Sequence, residues 1–219
     1  MDATDGVASP TVSPVSAAIA QPVDLALAQR AAGGDRVAQR ALMQQYRAVV
    51  HRTIYRIVGT NHEVEDLLQE AFVAIFRSLG RFRGESTLTR WCCVIGTRVA
   101  WAHISRRRPI TTPLDLADDV VSDEPSAWQQ LALRDAVRRL YQALERVDPA
   151  QRVAFALVVI DGRPVAEVAE LTGTSRVAVK TRVWRARRAL MVRAKRDPVL
   201  ASYLTELGDA AEPMLSEAP

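Results

Sequence analysis

The sequence predicts an all-α protein: two small helical domains joined by a flexible acidic linker. Three observations predict it. Apolar residues recur at i, i+3 and i+4 through both halves of the chain, and no stretch alternates like a strand. Between the halves, residues 109 to 125 are rich in Pro and Asp and carry no period, which suits a linker. At 219 residues and roughly 150 per domain, the chain is one large unit or two small ones.

Taken in order, residues 1 to 23 hold three prolines without periodicity and are expected to form a disordered tail. Asp24 is placed to cap a short helix reaching Ala32, which Gly33-Gly34 ends. Asp35 then caps a long helix to about Val58, with Val37, Ala41, Tyr46, Val49, Val50, Ile54 and Ile57 expected on its buried side. Gly59 stops it and Asn61 opens the next. There Val64, Leu67, Leu68, Ala71, Phe72, Ile75, Phe76 and Leu79 share one face. The opposite face shows Glu63, Glu65, Asp66, Gln69 and Glu70. After Gly80, residues 81 to 86 read as a loop, and a helix follows from about Thr87 to Arg106 until Pro109 and Pro113 break it.

The second unit starts near Ser126. Leu131, Val137, Leu140, Tyr141 and Leu144 give an amphipathic helix that ends before Pro149. Ala150 to Ile160 is a mostly apolar helix closed by Asp161-Gly162. Pro164 opens a short helix to Leu171, where its missing N–H costs nothing. Thr172-Gly173-Thr174 turns the chain, and Ser175 caps a last helix to about Lys195. Residues 197 to 219 are expected to be an acidic, flexible tail.

Several function classes drop out. The longest apolar run, Val153 to Ile160, has eight residues, whereas a spanning helix needs about twenty. The first basic residue is Arg30, so the N-terminus lacks the charged region of a secretory signal and a cytoplasmic protein is expected. Cys92 and Cys93 are adjacent, and His51, His62 and His103 are scattered, so neither a disulfide framework nor a metal spacing exists. No phosphate loop, dinucleotide fingerprint or nucleophile elbow occurs. The expectation is a protein without catalysis, cofactor or small-molecule substrate.

Net charge is only +4, but it is unevenly placed. From Arg81 to Arg108 seven arginines face one acid, Glu85; from Thr174 to Arg196 nine bases face none. Pro113 to Ala127 holds five acids and no base. Basic blocks of this size suit phosphate backbones, since each neutralised phosphate releases counterions.

In the second block a short helix, a glycine turn and a longer basic helix make a helix-turn-helix. Val165, Val168, Ala169 and Leu171 would pack the first helix, and Val177, Val179, Val183 and Leu190 the second. That leaves Arg176, Lys180, Thr181, Trp184, Arg185 and Arg188 facing outward, on a helix that fits the major groove. The first block interleaves its arginines with Phe82, Trp91 and Trp101. Aromatic faces stack on unpaired bases while arginines follow the backbone, a mixture suited to opened DNA. Singly, Phe82 or Trp91 fits a core aromatic better.

At this point the residues resemble a family. Glu65-Asp66-Leu67-Leu68-Gln69-Glu70-Ala71-Phe72, then Phe82-Arg83-Gly84-Glu85-Ser86 with Trp91, then Lys180-Thr181-Arg182-Val183-Trp184-Arg185-Ala186-Arg187 look like three motifs of the extracytoplasmic-function (ECF) sigma factors. These are the smallest branch of the sigma-70 family of bacterial transcription initiation subunits. The resemblance covers residues 24 to 197, with 24–108 similar to region 2 and 126–196 to region 4.

The resemblance implies that Asp66, Gln69 and Glu70 contact core RNA polymerase. It implies that the Phe82, Arg83, Gly84, Glu85, Ser86 loop with Trp91 takes a base flipped from the −10 strand, and that Arg98, Trp101 and Ser105 line the melted strand. Flipping costs a few kcal/mol and is repaid by stacking and hydrogen bonds. Arg176, Lys180, Thr181, Trp184, Arg185 and Arg188 would meet the −35 element. The linker would thread the polymerase channels, and an anti-sigma factor would mask both domains. One departure stands out: Ile95-Gly96-Thr97-Arg98 replaces the Ile-Ala-x-Asn of many members, which suits Arg98 to phosphate rather than base. The alternative class is a stand-alone helix-turn-helix regulator with a helical sensor domain, which would need neither the polymerase-contact motif nor the basic-aromatic block.

Overall fold

Proline and aspartate set the first helix starts, and glycine the stops. In the computed structural model, which describes residues 21–59, 61–106 and 127–216, Pro22 rather than Asp24 opens helix α1 (Pro22–Ala32). Asp24 does not cap it; its carboxylate accepts from Tyr46 Oη at 3.0 Å instead. Asp35 caps α2 (Arg36–Val58) as expected, accepting from the amides of Val37 and Ala38. The buried stripe of α2 is Ala38, Leu42, Tyr46, Val50, Ile54 and Ile57. Val37 (73% exposed) and Ala41 face outward, because the stripe runs one position later along the helix than its valines suggested.

Helix α3 (Asn61–Ser78) buries its apolar stripe as the spacing predicts, with Phe76 half-covered. A single 3-10 turn (Leu79–Arg81) leads to the loop before α4 (Leu88–Arg106). Helix α4 packs along α2, where Gly96 permits close approach: a Cβ there would lie 3.2 Å from Val50 Cγ1.

The second unit begins with α5 (Ala127–Leu144), which buries Leu140, Tyr141 and Leu144 while Leu131 points to solvent. Asp148 and Pro149 start α6 (Pro149–Phe155), which widens into a π-helical turn (Ala156–Ile160). Helices α7 (Val165–Thr172) and α8 (Arg176–Ala194) form the helix-turn-helix, joined through Gly173 in the left-handed region at φ 64°. In α8, Val179, Val183, Ala186 and Leu190 are buried, whereas Val177 is exposed, since it falls on the outward side of the same turn.

The flexible C-terminal tail expected at 197–219 is corrected. Pro198–Ser216 is a helix, α9, with Leu200, Leu204 and Ala211 buried. It lies on α8 and the π-helical turn, and Gly208 sits where a Cβ would meet the Arg187 guanidinium at 2.1 Å. Apolar spacing of three and four residues holds it there, despite the acids on its outer side. The N-terminal tail and the 109–125 linker lie outside the described residues. The two units also pack on one another, sharing one continuous hydrophobic core.

Ser175 Oγ accepts from Ala178 N at 3.2 Å and starts α8. Ser175→Ala is expected to cost about 1 kcal/mol, the usual worth of such a cap, read as a lower thermal midpoint with the fold unchanged.

Candidate nucleic-acid interface

The loop between the 3-10 turn and α4 folds around a cavity of about 490 Å³ lined by Phe82, Arg83, Glu85, Ser86 and Trp91. Gly84 makes the turn at φ 77°, a conformation that costs glycine little. Phe82 is 9% exposed and forms the floor. Trp91 meets it at 5.5 Å between ring centroids, tilted by 59°. These aromatics are packed against each other and also wall an open pocket.

Thr87 Oγ1 accepts from Arg90 N at 3.2 Å and starts α4. From there Trp91, Arg98, Trp101 and Ser105 fall seven, three and four residues apart, so they share one side of the helix. Arg98 and Ser105 are exposed, and Trp101 is half-buried. The structure thus joins the cavity and the α4 stripe into one basic and aromatic surface. A residue that the sequence reading quoted in a motif but assigned to no surface belongs with it: the Arg182 guanidinium of α8 stands 5.8 Å over the Trp101 ring. No periodicity could have shown that contact, because it joins two units.

On α8, Arg176, Thr181, Trp184, Arg185 and Arg188 are exposed and Lys180 is half-covered. Arg188 stacks over Trp184 at 5.5 Å, and Thr181 Oγ1 donates to Val177 O at 2.8 Å, leaving its lone pairs free to accept. All six lie on the helix face predicted to look outward.

On α3 the structure divides the acidic face. Glu65 is held by Arg47 at 2.8 Å, and Glu63 by His103 at 3.2 Å. Asp66, Gln69 and Glu70 are exposed and make no hydrogen bond or ion pair among the described residues. Their polar groups are therefore available to a partner.

Burial pushes both thiols, Cys92 and Cys93, well above the ordinary cysteine range, and no group of His, Cys, Asp and Glu among the described residues could hold a metal ion. No helix among them is long and apolar enough to cross a membrane.

Comparison with known proteins gives a consistent picture. The family description Sigma-70 region 2 matches residues 42–110, and Sigma-70, region 4 matches residues 137–190. The RNA polymerase sigma factor NccH of Alcaligenes xylosoxydans xylosoxydans is 31% identical over 173 residues, covering 77% of this chain and 92% of that protein. The ECF RNA polymerase sigma-E factor of Escherichia coli (strain K12) is 29% identical over 179 residues, covering 78% and 93%. Among solved structures, CnrH in complex with the cytosolic domain of CnrY shares the fold at a TM-score of 0.55 and 24% identity, covering 80% of this chain and 99% of that one.

Proposed function

Because the chain belongs to the sigma-70 family, and is an ECF sigma factor that directs transcription initiation without chemistry of its own, we propose a division of labour among its surfaces. The α3 face at Asp66, Gln69 and Glu70 docks on core RNA polymerase. The cavity at Phe82–Ser86 with Trp91 takes a flipped −10 base, and Arg98, Trp101 and Ser105 carry the strand onward. The α8 face from Arg176 to Arg188 reads the −35 element. The observation that supports it best is the single surface formed by cavity and α4 stripe. Stacking on aromatic residues is worth about 1–3 kcal/mol per base, enough to offset unstacking of a flipped base.

This work takes place in the cytoplasm, and an anti-sigma factor restrains the protein, as the family resemblance implies. The test is run-off transcription with purified protein and core polymerase on a genomic fragment library, with core alone as control. Discrete starts preceded by a shared −35/−10 pair are expected. Asp66→Ala and Gln69→Ala should weaken capture of core several-fold with an unchanged thermal midpoint. Unchanged capture by both would remove the α3 assignment. No starts, with the protein alone binding duplex DNA, would favour a stand-alone regulator.

A further inference from the structure

Helix α8 carries exposed apolar side chains amid cationic neighbours. Val177, in its first turn, is 71% exposed, and Trp184, seven residues on, is 58% exposed. Seven residues make close to two turns, so the two side chains stand on one side of the helix, about 10 Å apart along it. Thr181 lies between them, exposed, with its hydroxyl turned back to donate to Val177 O at 2.8 Å. Arg188 stacks over Trp184. The Val177 side chain stands outside the core, and its β-branch makes it a poorer helix former than alanine. Neither packing nor helix propensity accounts for a valine at this position.

The surroundings determine what this apolar group can meet. Arg176 and Arg185 are exposed on the same helix, and no Asp or Glu lies between Thr174 and Arg196. A surface this positive suits a polyanion better than the apolar face of a protein. In a helix-turn-helix the N-terminal residues of the second helix meet base edges, which sets the first turn, with Val177, against the floor of the major groove. Only one group on that floor is apolar, the 5-methyl of thymine; the rest of the pattern is donors and acceptors.

We propose that Val177 is a base-reading residue, and that it selects a thymine in the −35 element by packing on its 5-methyl group. This rests on the −35 reading of α8 above and adds one residue and one base to it. A guanidinium contact to guanine, such as that expected of Arg185, leaves the neighbouring pairs unspecified, and Val177 fixes one of them. The two residues are eight positions apart, about 12 Å along the helix, and each base pair occupies ~3.4 Å. The thymine therefore falls within about four base pairs of the guanine under Arg185. Other bases are disfavoured there, because cytosine would set its amino group, and a purine its N7, against the valine without a hydrogen bond.

The test uses holoenzyme, reconstituted from the full chain and core polymerase, on a promoter mapped by run-off transcription. Each thymine of the −35 element, on either strand, is replaced in turn by uracil, a base that lacks only the methyl. Heparin-resistant complexes at subsaturating holoenzyme read promoter affinity. At one position wild type should lose about fourfold, the worth of one buried methyl. At that position Val177→Ala should bind the thymine and uracil promoters equally, with its thermal midpoint and its capture of core unchanged. Val192→Ala removes another exposed apolar side chain, near the C-terminal end of α8, and should keep the wild-type penalty. No uracil penalty in wild type, or the same set of penalties in Val177→Ala, would overturn the assignment. Weaker capture of core by Val177→Ala would also overturn it, since the side chain would then face a protein. Starts that depend on no −35 sequence at all would instead overturn the reading of α8 on which the assignment rests.

Discussion

Arg185→Ala is expected to weaken −35 binding by about 1–3 kcal/mol, roughly fivefold to 150-fold in transcription from a −35-dependent promoter. The loss should be accompanied by relaxed preference at one base pair. Arg185 is exposed on the outward face of α8, and a bidentate guanidinium contact to a guanine edge is a sequence-specific contact. Arg188 supplies the contrast. It already stacks over Trp184, an exposed arrangement worth about 0.5–1 kcal/mol, and one turn further along it suits a phosphate. Arg188→Ala should weaken every −35 variant alike and reduce the salt dependence of binding by about one counterion. Arg185→Ala should not move the thermal midpoint, because exposed side chains without partners rarely change stability beyond about 0.5 kcal/mol, whereas Arg188→Ala also gives up its stacking on Trp184 and should lower the midpoint slightly. A library of −35 variants transcribed by wild type and both proteins decides it. The same base profile for Arg185→Ala as for wild type would place the reading residue elsewhere on the helix.

What could be read in advance follows from how local each cause is. The α3 stripe, the caps at Asp35 and Ser175 and the Gly173 turn depend on neighbours within a few positions, and all are found in place. The two units and the two basic faces followed from charge blocks and spacing, whereas the roles given to the α3 face and to the loop at Phe82–Ser86 came from the family resemblance. Helix α9 was missed because its acids and its terminal position outweighed a spacing of Leu200, Leu204, Leu207 and Ala211 that was there to be read. The seam between the two units, where Arg152 and Arg163 meet α2, was not legible at all. Arg152 and Arg163 look like surface bases in an arginine-rich chain, and only the carbonyls and hydroxyl brought to them from α2 make burial tolerable.

The ionic cluster at the seam carries the largest stability effect. Arg163 is 8% exposed and bonds Asp161 Oδ2 and Glu167 Oε1, each at 2.6 Å. Those carboxylates hold the guanidinium firmly protonated, above the ordinary arginine range, against the opposing effect of burial. Both acids are themselves about 8% exposed at the side chain. Arg163→Ala therefore leaves two carboxylates in a nearly dry site, with Arg56 Nε 3.8 Å from Asp161 as the remaining cation. Stranding buried charge in this way costs about 3–5 kcal/mol, a large part of a typical total of about 5–15. Replacing the set together, as Asp161→Asn, Arg163→Leu and Glu167→Leu, should recover most of the loss, because apolar groups of similar volume strand no charge. Urea unfolding of wild type, Arg163→Ala and the triple variant measures both the loss and the recovery. A loss below about 1 kcal/mol for Arg163→Ala, in the range of exposed pairs, would mean that water reaches the carboxylates, and the cluster would then belong to the surface of the seam and not to its core.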